Sequence, residues 1–266
     1  MKATIPPRVE TAGAAGVRVE RDGPVLVVNI DRPHVRNAID RATSQAIADA
    51  LDGLDADTSL RVGILTGAGG HFCAGMDLKA FLRGERVELE GRGLAGLTEW
   101  SPKKPLIAAV EGYALAGGCE IALACDLIVA AENAQFGIPE VRRGLIAGSG
   151  GLVRLPLRIP RQIAMEHALT GRPMSAADAW RWGLVNRLTA PGGALDGARA
   201  LAAEICANAP LAVAMTKRMV ADSPGWPAAE LWPRQKEILE MVIASDDARE
   251  GALAFNEKRA PRWSGT

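Results

Sequence analysis

Residues 117–125, GGCEIALAC, set a single glutamate among small and apolar side chains directly after two glycines. With a helix running from Gly118, the neighbours of Glu120 on its own face are Leu123, Ala124 and Leu127, so the carboxylate points where apolar side chains point. An ionised carboxylate taken out of water costs several kcal/mol unless it is paired, and otherwise its pKa climbs toward neutrality. Such a group can accept or donate a proton near pH 7. The plainer reading, a helix-dipole partner contributing about 0.3–1 kcal/mol, calls for a solvated face, which this one is not. Twenty residues on, FGIPEVRRGLIAGSGG offers Glu140, with Pro139 restricting the backbone just before it. Alone, Glu140 reads as a surface loop carboxylate. Facing Glu120 across a pocket it completes an acid–base pair, because two adjacent carboxylates cannot both ionise cheaply and share a proton.

Two further stretches, GHFCAGMDL (70–78) and GYALAGGCE (112–120), place glycines and small residues just past apolar runs, where backbone amides are left unpaired and open to close approach. At Gly117 the amide also falls at a helix N-terminus, which favours a developing negative charge. Two such amides make an oxyanion hole. GRGLAG (91–96) matches a dinucleotide-binding pattern but follows a charged stretch instead of a strand. AGSGG (147–151) resembles a degraded nucleophile elbow around Ser149, which keeps a serine hydrolase open as a disfavoured alternative. His34, His71 and His167 are scattered, and Cys73, Cys119, Cys125 and Cys206 form no CxxC pair. No metal site is expected, and the cysteines read as reduced thiols, mostly in the core.

The elements that must carry these groups are legible in outline. VLVVNI (25–30), VGILTG (62–67), LIAAV (106–110) and LIVAA (127–131) are each long enough for a buried strand. Between the first two, Ile47, Leu51 and Leu54 recur at helical spacing, so strands alternate with helices and an α/β class follows. Residues 80–101 are charged and glycine-containing and read as a mobile excursion from the core. SAADAWRWG opens with a Ser175–Asp178 capping pair and closes at Gly183. From about residue 197 the pattern becomes helical, which divides the chain into a core of residues 1–196 and a helical region of residues 197–266. The 266 residues are 48% hydrophobic and carry 31 basic and 31 acidic side chains with no long block of one sign. A charge-driven nucleic-acid or anionic-membrane binder is therefore not expected. No run approaches a membrane span, and the first 23 residues lack the apolar stretch of a signal peptide, so a cytoplasmic protein is the expectation.

RPHVRNAI (32–39), GHFCAGMDLKAF (70–81), KPLIAAVEGYALAGGCEIALACDLIVAAENAQFGIPEVRRGLI (104–146), TGRPMSAADAWRWGLVNRL (170–188) and REGALAFNEKRAP (249–261) together resemble the crotonase, or enoyl-CoA hydratase/isomerase, superfamily. The likeness covers nearly everything beyond residue 18 and is nearest to bacterial enoyl-CoA hydratases and carnitinyl-CoA dehydratases. It implies a spiral of strand–strand–helix turns with a helical C-terminal trimerisation region, assembled as a homotrimer or a dimer of trimers. The implied substrate is an acyl-CoA thioester, with no cofactor beyond the substrate's own coenzyme A. Carried onto this sequence, the thioester oxyanion hole falls on the amides of Ala74 and Gly117 and the catalytic glutamates on Glu120 and Glu140. Ala38, Ala74, Gly75, Met76 and Asp77 match segments along the coenzyme. Gly148 matches an amide that helps hold the reacting water, and Phe255 and Lys258 match positions that reach a neighbouring subunit's coenzyme. Ala147 stands where family members commonly have proline, which leaves that turn less pre-set. The implied reaction is reversible hydration of a 2-enoyl thioester. A 3-enoyl to 2-enoyl isomerase, a carnitinyl-CoA-type dehydratase and a non-catalytic acyl-CoA-binding protein remain as alternatives.

Overall fold

The structure, a computed structural model, describes residues 9–266; the first eight residues, which open the stretch read as unlike a signal peptide, lie outside it. Strands β1 (Val9–Ala14), β2 (Val17–Asp22) and β3 (Val25–Ile30) run antiparallel. Helix α1 (Arg41–Ala56) follows, capped by Asp40, whose side chain accepts from the Thr43 amide at 2.8 Å. It buries Ile47, Leu51 and Leu54. Strand β4 (Val62–Gly67) then pairs in parallel with β3, and β5 (Leu106–Val110) with β4, the short helix α2 (Leu78–Leu82) lying between them in sequence. After β5 the chain turns a corner into β6 (Tyr113–Leu115) and helix α3 (Gly117–Ala124). The next turn repeats the step, with β7 (Leu127–Ala131), β8 (Gln135–Gly137) and a 3-10 segment Pro139–Arg143.

Helices α4 (Gly151–Arg158) and α5 (Arg161–Thr170) lead to β9 (Met174–Ser175), α6 (Ala176–Arg181) and β10 (Arg187–Thr189). Ser175 caps α6 by accepting from the Asp178 amide at 3.1 Å, and Gly183 takes φ +83° just past its end. The large sheet has the order β1-β2-β3-β4-β5-β7-β10 and the small sheet β6-β8-β9. The β5–β6 and β7–β8 turns each give one strand to each sheet before a helical segment closes them. Single bridges from Cys73 to Ala114 and from Ile39 to Met76 extend the small sheet's pattern into the earlier turns. This is the expected spiral.

The central strands are apolar on both faces because both are covered. One face holds Leu26, Val28, Leu65, Ala108 and Ile128 against α1, α3 and the loops. The other packs Val27, Ile64, Ile107 and Val129 against α7 (Ala194–Cys206) through Ala194, Ala198 and Ala202. The helical region therefore begins at Ala194, three residues before the expected boundary, and its first helix is part of the core. Helices α8 (Pro210–Asp222), α9 (Leu231–Ile243) and α10 (Asp246–Asn256) complete the described chain. Among the described residues no single helix is long and apolar enough to cross a membrane, and the α7–α8 pair that passes by composition bends by 109°.

The segment expected to leave the core folds back onto it. Ser44 Oγ donates to the Val87 carbonyl at 2.7 Å, Arg41 Nη1 donates to the carbonyls of Arg86 and Glu88 at 3.1 Å, and Ala95 N donates to Ser44 Oγ at 3.1 Å. Val87, Leu89, Leu94, Ala95 and Leu97 are buried. The charges of this stretch mask apolar anchors too irregularly spaced to show a period.

Candidate active site

The first turn of α3 carries Glu120, which is 3% exposed. Its Oε1 accepts from two backbone amides, those of Ser149 and Gly151, each at 2.8 Å, so the glycine-rich turn before α4 holds the carboxylate in place. A side chain at 151 would crowd that carboxylate: an added Cβ would stand 3.0 Å from Glu120 Cγ. Burial pushes the Glu120 carboxyl above the ordinary carboxylate range; the Gly151 and Ser149 amides oppose this, the charge of Glu88 adds to it and Arg154 works against it. Glu140 sits in the 3-10 segment that Pro139 opens. Its Oε2 is buried with no hydrogen-bond partner among the described residues. Burial raises its pKa as well; its own backbone amide lowers it, the Glu120 charge raises it and Arg143 lowers it. The charge of Glu120 is thus felt at Glu140.

The amides resolve differently from the expectation. Ala74 N donates to the Arg36 carbonyl at 3.0 Å, so it has no hydrogen left for a ligand. One residue pair further on, the Ile39–Met76 bridge uses Gly75 O, which accepts from Ile39 N at 2.8 Å, and Asp77 N, which donates to Ile39 O at 2.8 Å. A parallel bridge of this kind leaves the amide of the intervening residue, Met76, on the opposite side. Among the described residues neither Met76 N nor Gly117 N donates to a protein group. The two lie side by side: a Cβ on Gly117 would be 3.4 Å from Met76 N, and a Cβ on Gly75 would be 2.9 Å from Gly117 N. Gly75, at φ +101°, is what lets the two strands approach. Ala116, at φ +52° without being glycine, turns the peptide that carries the Gly117 amide and stores strain at this point. Met76 was expected along the coenzyme; the free amide that pairs with Gly117 is its own, and only the three-dimensional bridge with Ile39 distinguishes it from that of Ala74.

Asn37, fully buried, positions this loop by donating Nδ2 to the Ala68 and His71 carbonyls at 2.8 and 2.7 Å. Arg32 joins the expected coenzyme-side residues Ala38 and Asp77: Nη1 donates to Ala38 O at 2.5 Å and Nη2 pairs with Asp77 at 3.2 Å and Asp40 at 2.8 Å. Asp77 also caps α2, accepting from Lys79 N and Ala80 N. Gly148 is exposed with open space around it, and its amide donates to no protein group among the described residues. Phe255 is 88% exposed, and Lys258 takes a left-handed conformation just after α10, so neither joins the glutamates within one chain.

The hydrolase alternative fails on geometry. Ser149 is buried, and its hydroxyl donates to Glu88 Oε1 at 2.9 Å, not to a histidine; the His71 ring instead stacks on Tyr113. The GRGLAG stretch opens no helix longer than one 3-10 turn. Cys73, Cys119 and Cys125 are free and buried, their thiols pushed up to about 12 by burial. Among the described residues no group of three or more His, Cys, Asp or Glu could hold a metal ion. A separate cleft between the core and α8, lined by Trp100, Leu123, Arg154 and Lys217 among others, contains neither glutamate. Sequence reading missed Glu88, the Ser149 and Gly151 amides and Arg154, which donates to Thr98 O at 2.6 Å; all of them lie far from Glu120 in sequence.

Two carboxyls of raised pKa and two unused, adjacent backbone amides are groups suited to an enzyme that moves protons next to a carbonyl, here one of the hydratase class. The chain belongs to the enoyl-CoA hydratase/isomerase family, whose model matches residues 20–266. It is 44% identical over 257 residues to carnitinyl-CoA dehydratase of Salmonella arizonae, covering 94% of this chain and 98% of that protein. Among solved structures it is similar to an enoyl-CoA hydratase of Mycobacterium tuberculosis H37Rv (TM-score 0.93, 60% identity, 94% of this chain and 99% of that one). It is also similar to a carnitinyl-CoA hydratase of Mycobacterium avium (TM-score 0.76, 46% identity, 94% and 99% covered).

Proposed function

We propose that the chain adds water across the double bond of a 2-enoyl-CoA thioester, reversibly, using Glu120, Glu140 and the backbone amides of Met76 and Gly117. The observation that carries this is the pairing of two free, adjacent amides with the buried Glu120 and the half-buried Glu140, both of raised pKa. The thioester oxygen accepts from Met76 N and Gly117 N, which stabilise the enolate charge that develops as water attacks C3. One glutamate is ionised and removes a proton from that water; the other is protonated and delivers its proton to C2, so the pair returns with its protons exchanged. The unpartnered Glu140 Oε2 and the free Gly148 amide are the groups on which the water rests. Ala38, Gly75, Met76 and Asp77 line the coenzyme side, and Ala74 acts there by tying its strand to Arg36. Phe255 and Lys258 contact coenzyme bound to a neighbouring subunit of a trimer. Coenzyme A enters as part of the substrate, and no separate cofactor takes part.

A second reading, dehydration of a 3-hydroxyacyl thioester of the carnitinyl kind, is favoured by the 44% likeness to carnitinyl-CoA dehydratase and uses the same groups in reverse. A dedicated isomerase needs one base, so both glutamates count against it. Hydration of crotonyl-CoA, followed by loss of the conjugated thioester absorbance, tests the reading. The wild type turns over, and Glu120→Gln and Glu140→Gln each lower kcat by roughly 10²- to 10⁴-fold. Undiminished hydration in Glu120→Gln would overturn it and return Glu120 to a helix-dipole partner.

A further inference from the structure

Two opposite charges meet on one residue of the turn that holds Glu120. The Ser149 amide donates to Glu120 Oε1 at 2.8 Å, and its hydroxyl donates to Glu88 Oε1 at 2.9 Å. Its carbonyl lies 3.5 Å from Nη1 of Arg154, which turns back from α4 over Gly150. Gly150 takes φ +98°, and a side chain there would occupy the place of the guanidinium. The other arm of the guanidinium is anchored: Nη2 donates to Thr98 O at 2.6 Å, and Thr98 Oγ1 accepts from the Leu94 amide at 2.8 Å. Leu94 is buried against Gly117, where an added Cβ would overlap its Cδ2. Arg154 therefore joins the turn on Glu120 to the segment behind the Gly117 amide.

Both acceptors of Arg154 are neutral carbonyls, and among the described residues no carboxylate forms an ion pair with it. In a half-buried setting its charge acts on nearby groups more strongly than it would in water. Burial and then Arg158 pull the Arg154 pKa down, while Glu120 holds it up. The other charged groups facing Glu120 are Glu88, from the segment after α2, and Glu140, from the 3-10 segment, where Arg143 stands beside it. The remaining residues of α3 and those of β6 bring no charge.

We propose that Arg154 is a positioning residue that locks the Ser149 turn onto Glu120 and supplies the positive charge that offsets Glu88 at that carboxylate. Its effect on turnover rests on the hydratase reading; the contacts do not. A cation favours the ionised carboxylate and an anion the protonated one, so Arg154 and Glu88 push the proton equilibrium of Glu120 in opposite directions.

The pH profile of kcat/KM for crotonyl-CoA, measured on full-length wild type, Arg154→Gln, Arg154→Lys, Glu88→Gln and the Arg154→Gln, Glu88→Gln double variant, tests this. The acid limb moves up by about one pH unit in Arg154→Gln and down by about as much in Glu88→Gln, and it returns toward the wild type in the double variant. Arg154→Lys keeps the charge and leaves the limb in place, and KM at the optimum changes by less than about twofold throughout. A limb unmoved in either glutamine variant, or moved the same way in both, overturns the proposal, as does a loss of kcat in every Arg154 variant at an unshifted limb. If Arg154→Gln does not fold, a limb displaced in Arg154→Lys or unmoved in Glu88→Gln overturns it. The Tm gain of Glu120→Gln over its parent at about pH 8 reads the same equilibrium without catalysis, because glutamine escapes the cost of ionising. That gain is larger in the Arg154→Gln background and smaller in the Glu88→Gln background. A chain that shows these Tm shifts and hydrates nothing overturns the hydratase reading while supporting the role of Arg154.

Discussion

Glu120 and Glu140 hold their carboxyls out of water at a cost to the fold. Each carboxyl has its pKa raised above the ordinary carboxylate range, first by burial. A carboxyl whose folded pKa lies above its unfolded one binds its proton more tightly in the native state. Its stabilising contribution is complete below the unfolded pKa and is lost as pH rises through the folded pKa. Glu140→Gln cannot ionise, so its Tm advantage over the wild type should be larger at about pH 8 than at about pH 4, as thermal unfolding at both pH values would read out. A Tm difference independent of pH would mean that Glu140 is solvated. In the proposed reaction the working pair holds one proton. The kcat/KM profile should therefore fall on the acid side when both carboxyls are protonated and on the alkaline side when both are ionised, and the acid limb should lie above the ordinary carboxylate range. Because the pair acts as a unit, the Glu120→Gln, Glu140→Gln double variant should be little slower than the slower single variant.

At the scale of elements, the amide pair depends on how two strands and one helix start meet. Replacing the Met76 peptide N–H by an ester oxygen should cost roughly 10²- to 10³-fold in kcat for crotonyl-CoA, because one oxyanion donor is lost. The same replacement at Ala74 removes its hydrogen bond to Arg36 O, and the urea midpoint should move more than kcat. Equal kinetic losses at both positions would return Ala74 to the oxyanion hole. The helix start is equally constrained. A Cβ at Gly118 would overlap the backbone carbonyl of Cys73, which cannot swing aside as a flexible side chain would. Gly118→Ala should therefore destabilise by about 1–3 kcal/mol in denaturant unfolding, with the strand carrying Gly75 and Met76 displaced.

The whole chain leaves a large apolar surface uncovered. Val153, Leu157 and Leu169 on α4 and α5, and Leu239, Ile243, Leu253 and Phe255 on α9 and α10, are exposed, while the C-terminal tail is tied down by Asp247, which accepts from Ser264 N at 2.6 Å and Gly265 N at 3.0 Å. Apolar side chains on ordered helices at this density call for a subunit interface. Sedimentation equilibrium at micromolar concentration should return a trimer or a hexamer. A monomer would count against the trimer and against the assignment of Phe255 and Lys258 to a neighbour's coenzyme.

The amino-acid sequence alone determined the four central strands to the residue, because fully buried parallel strands are short apolar runs bounded by breakers, and it determined Glu120, because a carboxylate in an apolar helix face is visible in one dimension. The family motifs carried Glu140 and the spiral. Tertiary structure decided what depends on partners far apart in the chain. Ala74 and Met76 both sit in FCAGMDL, and only pairing with Arg36 and Ile39, more than thirty residues earlier, shows which amide is spent and which is free. Glu88 looked like one charge among many in an irregular stretch, and the Ser149 hydroxyl 61 residues later places it beside Glu120. Helix α7 read as the start of a tail, yet its alanines reach the far face of the sheet. Hydrogen bonds and helix–sheet packing between distant segments leave no periodic trace in sequence, since each partner satisfies only local rules where it stands.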